Sequence, residues 1–154
     1  MSAFHKLSIK NYIQETANAV SIVFDVPENL KTNFSYKAGQ YITLKATING
    51  TEIRRAYSIC SAPESGELKV AIKAVEKGIF STYATSQLKV GDLIEVHEPE
   101  GKFMLEPTKS NNYLGIAAGS GITPVLSMIK AVLQQEPSSS FTLIYGNKSS
   151  DETM

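Results

Sequence analysis

Up to about residue 100, apolar positions recur at every second residue. In VSIVFDV (20–26), Val20, Ile22, Phe24 and Val26 share one face, and in ELKVAIKAV (67–75), Leu68, Val70, Ile72 and Ala74 do. Such alternation marks a half-buried strand. HKLSIKNYI (5–13), QYITLKAT (40–47), TEIRRAYSI (51–59) and DLIEVHE (92–98) follow the same rule, which predicts six strands. Asn49-Gly50 predicts a tight hairpin between the third and fourth, because both residue types tolerate the positive φ that such a turn needs. Pro27, Gly39, Pro63, Gly66 and Gly91 punctuate the rest. Six short strands at this spacing make a small antiparallel barrel or sandwich. One short helix is predicted over 79–88.

Beyond residue 106 the period changes. NYLGIAAG (112–119) is an almost unbroken apolar run, as in a strand buried on both faces. In the segment that follows, Val125, Leu126, Ile129, Val132 and Leu133 fall on one helical face, with Thr123 as a candidate N-cap and Pro124 at the first helical position. After the turn PSSS comes a second apolar strand, FTLIYGN (141–147). The order strand, glycine turn, helix, strand is one βαβ unit, joined to the first region through EPTKSN (106–111). Two parallel strands and one helix cannot cover both faces of a parallel sheet. The chain is therefore expected to be the front part of a longer protein.

Composition narrows the function classes. Fifteen basic residues balance fifteen acidic ones, so no global field draws nucleic acid or an anionic membrane, and any anion site must be local. No apolar run reaches the ~18 residues that suggest a membrane span, and residues 1–20 lack the apolar core of a secretory signal. The single cysteine, Cys60, excludes an internal disulfide and fits a reducing, cytoplasmic setting. His5 and His97 have no ligand spacing, so no metal site is expected. Glu98, Glu100 and Glu106 read as solvated acids, and Cys60 as a packed thiol.

Three stretches carry candidate chemistry. AAGSGITP follows a strand and opens a helix. Gly119 and Gly121 let backbone approach a ligand, and the free N–H groups of a helix start favour an anion such as a diphosphate. The alternative is a tight strand-to-helix turn with no ligand. In RRAYSIC (54–60), Arg55, Tyr57 and Ile59 face one way, with Arg54 opposite. An arginine fork pairs with phosphate, and a tyrosine two residues on can stack on a flat ring. The same pattern also suits a surface strand with an exposed arginine and a core tyrosine. In KGIFSTYA (77–84), Gly78 and Ser81 lie at the start of the barrel region's helix, a second place for an anion, or simply a loop glycine and a cap.

Taken together and in order, five stretches resemble the ferredoxin–NADP reductase superfamily of flavoproteins. GQY (39–41) is similar to the start of its third barrel strand. RAYS (55–58) resembles its R-x-Y-[ST] flavin motif, and KGIFSTY (77–83) its flavin-diphosphate turn. GSGITP (119–124) resembles its nicotinamide-domain turn, and YGNKSSDE (145–152) its YGNR followed by an acidic pair. The flavour is that of bacterial oxygenase reductases.

The resemblance implies an all-β, six-stranded antiparallel Greek-key FAD-binding barrel over 1–106. The first βαβ unit of an α/β nucleotide-binding domain would follow over 107–154, incomplete. It implies that Arg55 holds the FAD diphosphate, that Tyr57 packs on the isoalloxazine, and that Ser58 hydrogen-bonds near the reacting flavin nitrogen, with Ala56 between them. Ala71, Ile72 and Lys73 would line the flavin. Gly78, Ile79, Phe80 and Ser81 would offer backbone N–H groups to the diphosphate. Gly119, Ser120, Gly121 and Pro124 would shape the pyridine-nucleotide turn, and Thr123 would sit between the two rings. Two departures stand out. Lys77 precedes Gly78 where the family often has a second glycine, and Lys148 replaces an arginine whose fork it cannot imitate.

The implied activity is hydride transfer from NAD(P)H to FAD in the full-length protein, then electron transfer to an acceptor protein or an iron–sulfur domain. A [2Fe-2S] cluster would lie in a domain outside this chain, and the implied hydride donor is NADH or NADPH. Alternatives are a stand-alone ferredoxin or flavodoxin reductase, a flavohaemoglobin-type reductase module, or a non-enzymatic flavin-binding or scaffold module. Neither nucleic-acid binding nor membrane insertion is expected. The exposed βαβ unit could pair with another chain.

Overall fold

The structure, a computed structural model, describes residues 3–148 and 153. Six strands form one antiparallel sheet: β1 (Phe4–Thr16), β2 (Ala19–Asp25), β3 (Tyr41–Ile48), β4 (Thr51–Ser58), β5 (Leu68–Lys73) and β6 (Leu93–His97). Their order across the sheet is β4-β3-β6-β1-β2-β5. The sheet curls until its two edges meet, where Ile59, just past β4, bridges Val70 of β5. Closure leaves few unpaired edges and gives the alternating side chains an inside.

All six strands lie where the alternation places them. Val20, Ile22, Val70, Ile72, Ile42, Leu44, Ile59 and Val96 are fully buried, and they belong to one core cluster with Leu7, Ile9, Phe24 and Ile94. Asn49 (φ 51°) and Gly50 (φ 77°) make the β3–β4 hairpin turn with both central residues at positive φ, as their identities predict. α1 (Ile79–Ser86) ends two residues earlier than expected. It plugs the barrel with Phe80, 1% exposed, and its Ala84 carbonyl accepts a hydrogen bond from the Tyr12 hydroxyl at 3.1 Å.

The second region consists of β7 (Asn112–Ala118), α2 (Ile122–Gln135) and β8 (Ser140–Gly146), with β7 and β8 parallel. α2 covers one face of this two-stranded sheet, where Ala117, Ile122 and Val125 form a small core with Phe141 and Tyr145 beside them. β7 is thus not buried on both faces as its composition suggested: Leu114 and Ile116 are 63% and 71% exposed. The helical face also differs from expectation. Leu133 is 59% exposed, while Ser127, Met128 and Ala131 are buried. The reason is that α2 serves two neighbours. One flank packs on β7 and β8, and the other docks on the barrel through Met128 and Ala131 against Ala38.

A carboxylate fixes the connection between the regions. Glu136, at the end of α2, accepts the N–H groups of Thr108 (2.7 Å) and Lys109 (3.1 Å) and the hydroxyls of Tyr113 (3.0 Å) and Ser139. These bonds hold its carboxyl below the usual carboxylate range, the Ser139 hydroxyl contributing most, against the opposing effect of burial.

Candidate functional site

β4 carries the arginine motif. Ile53 and Ile59 point into the core, and the alternation places Arg55 and Tyr57 between them on the same side. Tyr57 is half-buried against Phe80 of α1, with ring centroids 5.9 Å apart. Burial pushes its phenol up to about 12, although the neighbouring Arg55 charge pulls the other way, so the ring stays neutral at ordinary pH. Arg55 is exposed. One of its N–H groups donates to the Arg54 carbonyl at 2.7 Å, and among the described residues no carboxylate pairs with it. Arg54 is engaged elsewhere, with Glu52 at 2.7 Å and over the Phe4 ring at 5.1 Å. Of the two adjacent arginines, Arg55 is the one without a carboxylate partner among the described residues, with one N–H spent on the Arg54 carbonyl.

Ala56 is exposed, and Ser58 is half-buried at the end of β4 opposite Tyr41. The antiparallel Ile59–Val70 bridge puts the end of β4, before Ile59, on the side of β5 that holds Ala71, Ile72 and Lys73, while Cys60 beyond it donates its N–H to the Lys69 carbonyl. Ala71 and Lys73 are half-buried. Ile72 is fully buried in the barrel core, so it can meet a ligand only through its backbone.

The start of α1 closes this side. Lys77 adopts φ +60°, the left-handed region a second glycine would enter without strain. Gly78 has no such freedom to give up: a Cβ there would come within 2.4 Å of Ser81 Oγ and 2.5 Å of Val75 Cγ2. Gly78 donates its N–H to the Val75 carbonyl, so it is not an open donor as expected. The first α-helical bond runs from Thr82 N–H to the Gly78 carbonyl, which leaves the N–H groups of Ile79, Phe80 and Ser81 ahead of it, with no side-chain cap. The Ser81 hydroxyl is not a free donor either. It donates to the Gly78 carbonyl and accepts from Val75 N–H, both at 3.2 Å. The Phe80 side chain belongs to the core.

The second glycine turn differs from its expected form. Gly119–Gly121 makes a 3₁₀ turn with Gly119 at φ +50°, and α2 begins at Ile122 with Gly121 as its N-cap. Thr123 is therefore inside the helix, and Pro124 is its third residue. The Thr123 hydroxyl donates to the Ser120 carbonyl at 3.0 Å, and Thr123 is 7% exposed. Its hydroxyl is thus engaged within the turn. Gly121 has ordinary helical φ, and a Cβ there would meet nothing within 4 Å. Neither conformation nor packing asks for glycine at 121.

Tyr145, absent from the expected site, donates its hydroxyl to the Gly119 carbonyl at 2.9 Å and pins the turn to β8. Its signal in the sequence was the aromatic residue ending an apolar strand. Lys148 is exposed, and the acidic pair at 151 and 152 lies outside the described residues.

β4, β5 and α1 thus bring the arginine strand, the β5 residues and one uncapped helix start to one side of the barrel, and α2 adds a second. An unpaired guanidinium, a neutral tyrosine ring and two uncapped helix N-termini fit a dinucleotide carrying a diphosphate and a flat ring. A cleft of about 870 Å³ lies elsewhere, between the end of β2 and the loops that hold Tyr36 and Pro63. None of the residues above lines it, and its walls mix Lys10 and Lys31 with Asp25, Glu28, Glu64 and Glu67. Among the described residues no cluster of three or more His, Cys, Asp or Glu could hold a metal ion.

Comparison with known proteins agrees with this geometry. The chain is 47% identical over 156 residues to a component of the 1,2-phenylacetyl-CoA epoxidase of Escherichia coli (strain K12), an alignment covering 100% of this chain and 44% of that protein. It is 35% identical over 144 residues to the ferredoxin reductase component of 3-ketosteroid-9-alpha-monooxygenase of Rhodococcus rhodochrous, covering 92% of this chain and 40% of that one. The chain therefore spans less than half the length of these relatives. Among solved structures, phthalate dioxygenase reductase, described as a modular structure for electron transfer from pyridine nucleotides to [2Fe-2S], superposes with a TM-score of 0.81 at 26% identity, over 97% of this chain and 46% of that one. The flavohem-like FAD/NAD binding domain of nitric oxide dioxygenase from Vibrio cholerae gives a TM-score of 0.84 at 26% identity, covering 99% of this chain and 66% of that one. A ferredoxin NADP+ reductase from Neisseria gonorrhoeae shares the fold, with a TM-score of 0.82. The oxidoreductase FAD-binding domain family matches residues 6–105, and the oxidoreductase NAD-binding domain family matches residues 116–154. The chain belongs to the FAD-binding oxidoreductase family of ferredoxin reductase-like flavoproteins, its barrel followed by sequence of the NAD-binding domain.

Proposed function

We propose that this chain is the flavin-binding and pyridine-nucleotide-entry part of an NAD(P)H-dependent reductase, with the barrel ending near residue 106 and the nucleotide-binding domain beginning near 107. The unpaired Arg55 fork beside the Tyr57 ring is the observation that carries this reading. Arg55 and the N–H groups of Ile79, Phe80 and Ser81 bind the FAD diphosphate. Tyr57, held by Phe80, presents a neutral ring to the isoalloxazine. Ser58 offers a hydroxyl at the reacting edge, beside the β5 backbone from Ala71 to Lys73. Gly119, Ser120 and Gly121, backed by Tyr145, hold the nucleotide diphosphate. Ser58 and Tyr57 are the residues placed nearest the chemistry. Bound FAD supplies the step from two-electron to one-electron transfer.

The acceptor is an electron-carrier protein or an iron–sulfur domain, in keeping with the names of the relatives. No helix among the described residues is long and apolar enough to cross a membrane, and with its single buried thiol the protein suits the reducing cytoplasm. Anaerobic mixing of the FAD-loaded, full-length polypeptide with NADH and with NADPH tests the reading. Flavin bleaching at ~10 s⁻¹ or faster with one of them is expected, and an unreduced flavin with both contradicts it. The 154-residue chain alone should be reduced far more slowly, because its two-stranded sheet holds only part of a nucleotide.

A further inference from the structure

The helix that carries the glycine turn is also the helix that docks on the barrel, and it docks beside the flavin strand. Past Ser58 the chain continues through Ile59, Cys60 and Ser61. Ser127, fully buried in α2, donates its hydroxyl to the Ser61 carbonyl at 2.6 Å. Lys130 donates its ammonium to the Cys60 carbonyl at 3.1 Å. Among the described residues no carboxylate pairs with Lys130, so its half-buried charge neutralises nothing and serves geometry. Between these bonds, Met128 lies so close to Gly39 that a Cβ there would come within 2.4 Å of its Cε. Two donors one turn apart on the helix thus grip consecutive carbonyls of the barrel, and the close packing between them stops α2 from sliding or rolling.

The path between the two half-sites is short. Ser127 lies four residues past Thr123, ~6 Å along a helix. Ser61 lies three residues past Ser58, ~10 Å along extended chain. We propose that Ser127 and Lys130 are positioning residues that set the separation and angle between the flavin-binding strand and the pyridine-nucleotide turn. This rests on the reductase reading above. Hydride transfer needs reacting atoms ~3–3.5 Å apart, and a ~1 Å misplacement from a distant change can cost ~100-fold. Both bonds go to backbone carbonyls past the end of β4, so their loss should change rate without changing flavin content.

The test uses the full-length, FAD-loaded polypeptide and the variants Ser127→Ala, Lys130→Met and Lys130→Arg. Two readouts are taken: the limiting rate of flavin reduction with its half-saturating nucleotide concentration, and amide hydrogen exchange. For Ser127→Ala and Lys130→Met the limiting rate should fall ~10- to 100-fold, while FAD content and half-saturation hold. Exchange should quicken at residues 59–62 and 125–132 but not at Ile22 or Val70. Lys130→Arg keeps a donor and should recover most of the rate. A parent that reduces normally, with variants of unchanged limiting rate, overturns the positioning role alone. So does a slow variant that has lost FAD or exchanges faster throughout, or a Lys130→Arg variant as slow as Lys130→Met. A parent that neither nucleotide reduces overturns the reductase reading, and the positioning role falls with it.

Discussion

The barrel strands alternate apolar with polar residues and the strands of the strand–helix–strand unit are more continuously apolar, yet it is the barrel that buries its apolar side chains fully. The barrel sheet closes at Ile59 and Val70, so its inward side chains, Val20, Ile42, Leu44 and Ile72 among them, form one continuous core. The β7–β8 sheet is too narrow to close. It has α2 on one face, while Leu114, Ile116 and Ile144 lie open on the other. A sheet that curls on itself supplies its own second layer, whereas a flat parallel pair must borrow one. The second region therefore takes its order from docking on the first, through Met128, Ala131, Ser127 and Lys130, and from the Glu136 clamp on the linker.

The largest effect should come from the barrel's plug. Phe80→Ala removes a side chain only 1% exposed that touches Tyr57 and Tyr83, and should cost about 3–5 kcal/mol in chemical denaturation. Ile116→Ala, on the open face, should stay within about 0.5 kcal/mol. Comparable losses in the two would erase the distinction between the regions. The joint comes next. Gly39 has φ +101°, and a Cβ there would lie 2.3 Å from the Phe103 carbonyl oxygen. Gly39→Ala should therefore cost about 1–3 kcal/mol from backbone strain alone, and limited proteolysis should cut 107–146 before the barrel. An alanine variant as stable and as resistant as the parent would show that the docking is looser than the packing implies.

The smallest effect concerns pH. The Glu136 carboxyl is held below its ordinary value in the folded protein, so its contribution is full above the unfolded value and is lost as pH falls through the folded one. Lowering pH from ~5 to ~3 should speed proteolysis or exchange at 107–111. Glu136→Gln should remove that dependence. A linker whose protection ignores pH in the parent would rule out the carboxylate as its clamp.

Strands were legible where burial has a period. Alternation located all six barrel strands, and Asn49-Gly50 gave the hairpin turn, because pleat geometry and positive φ act on single residues. The burial of α2 was not legible. Its barrel-facing side combines one large apolar residue, Met128, with Ser127 and Ala131, a polar and a small residue that a search for large apolar ones passes over, so Leu133 was wrongly assigned to the buried face. The start of α2 was misplaced because Gly119–Gly121 forms a 3₁₀ turn that moves the N-cap back to Gly121. Strand order, the Tyr145 bond to Gly119 and the Glu136 clamp all depend on residues distant in sequence, for which one chain offers no periodic signal. The facing of the arginine pair follows the alternation: Arg55 lies opposite the buried Leu44 and Arg54 opposite Lys45, and among the described residues only Arg54 of the two is engaged by a carboxylate.

That last contrast gives the most direct test of the central claim, that the barrel holds FAD through Arg55. Flavin titration of the parent, Arg55→Ala and Arg54→Ala, followed by fluorescence and with FAD and FMN in parallel, decides it. Stoichiometric binding of FAD in preference to FMN is expected. Arg55→Ala should lose about 1.5–3 kcal/mol, roughly ten- to a hundredfold in affinity, and Arg54→Ala should change little. Equal losses in the two arginine variants, or a parent that prefers FMN, would contradict that claim.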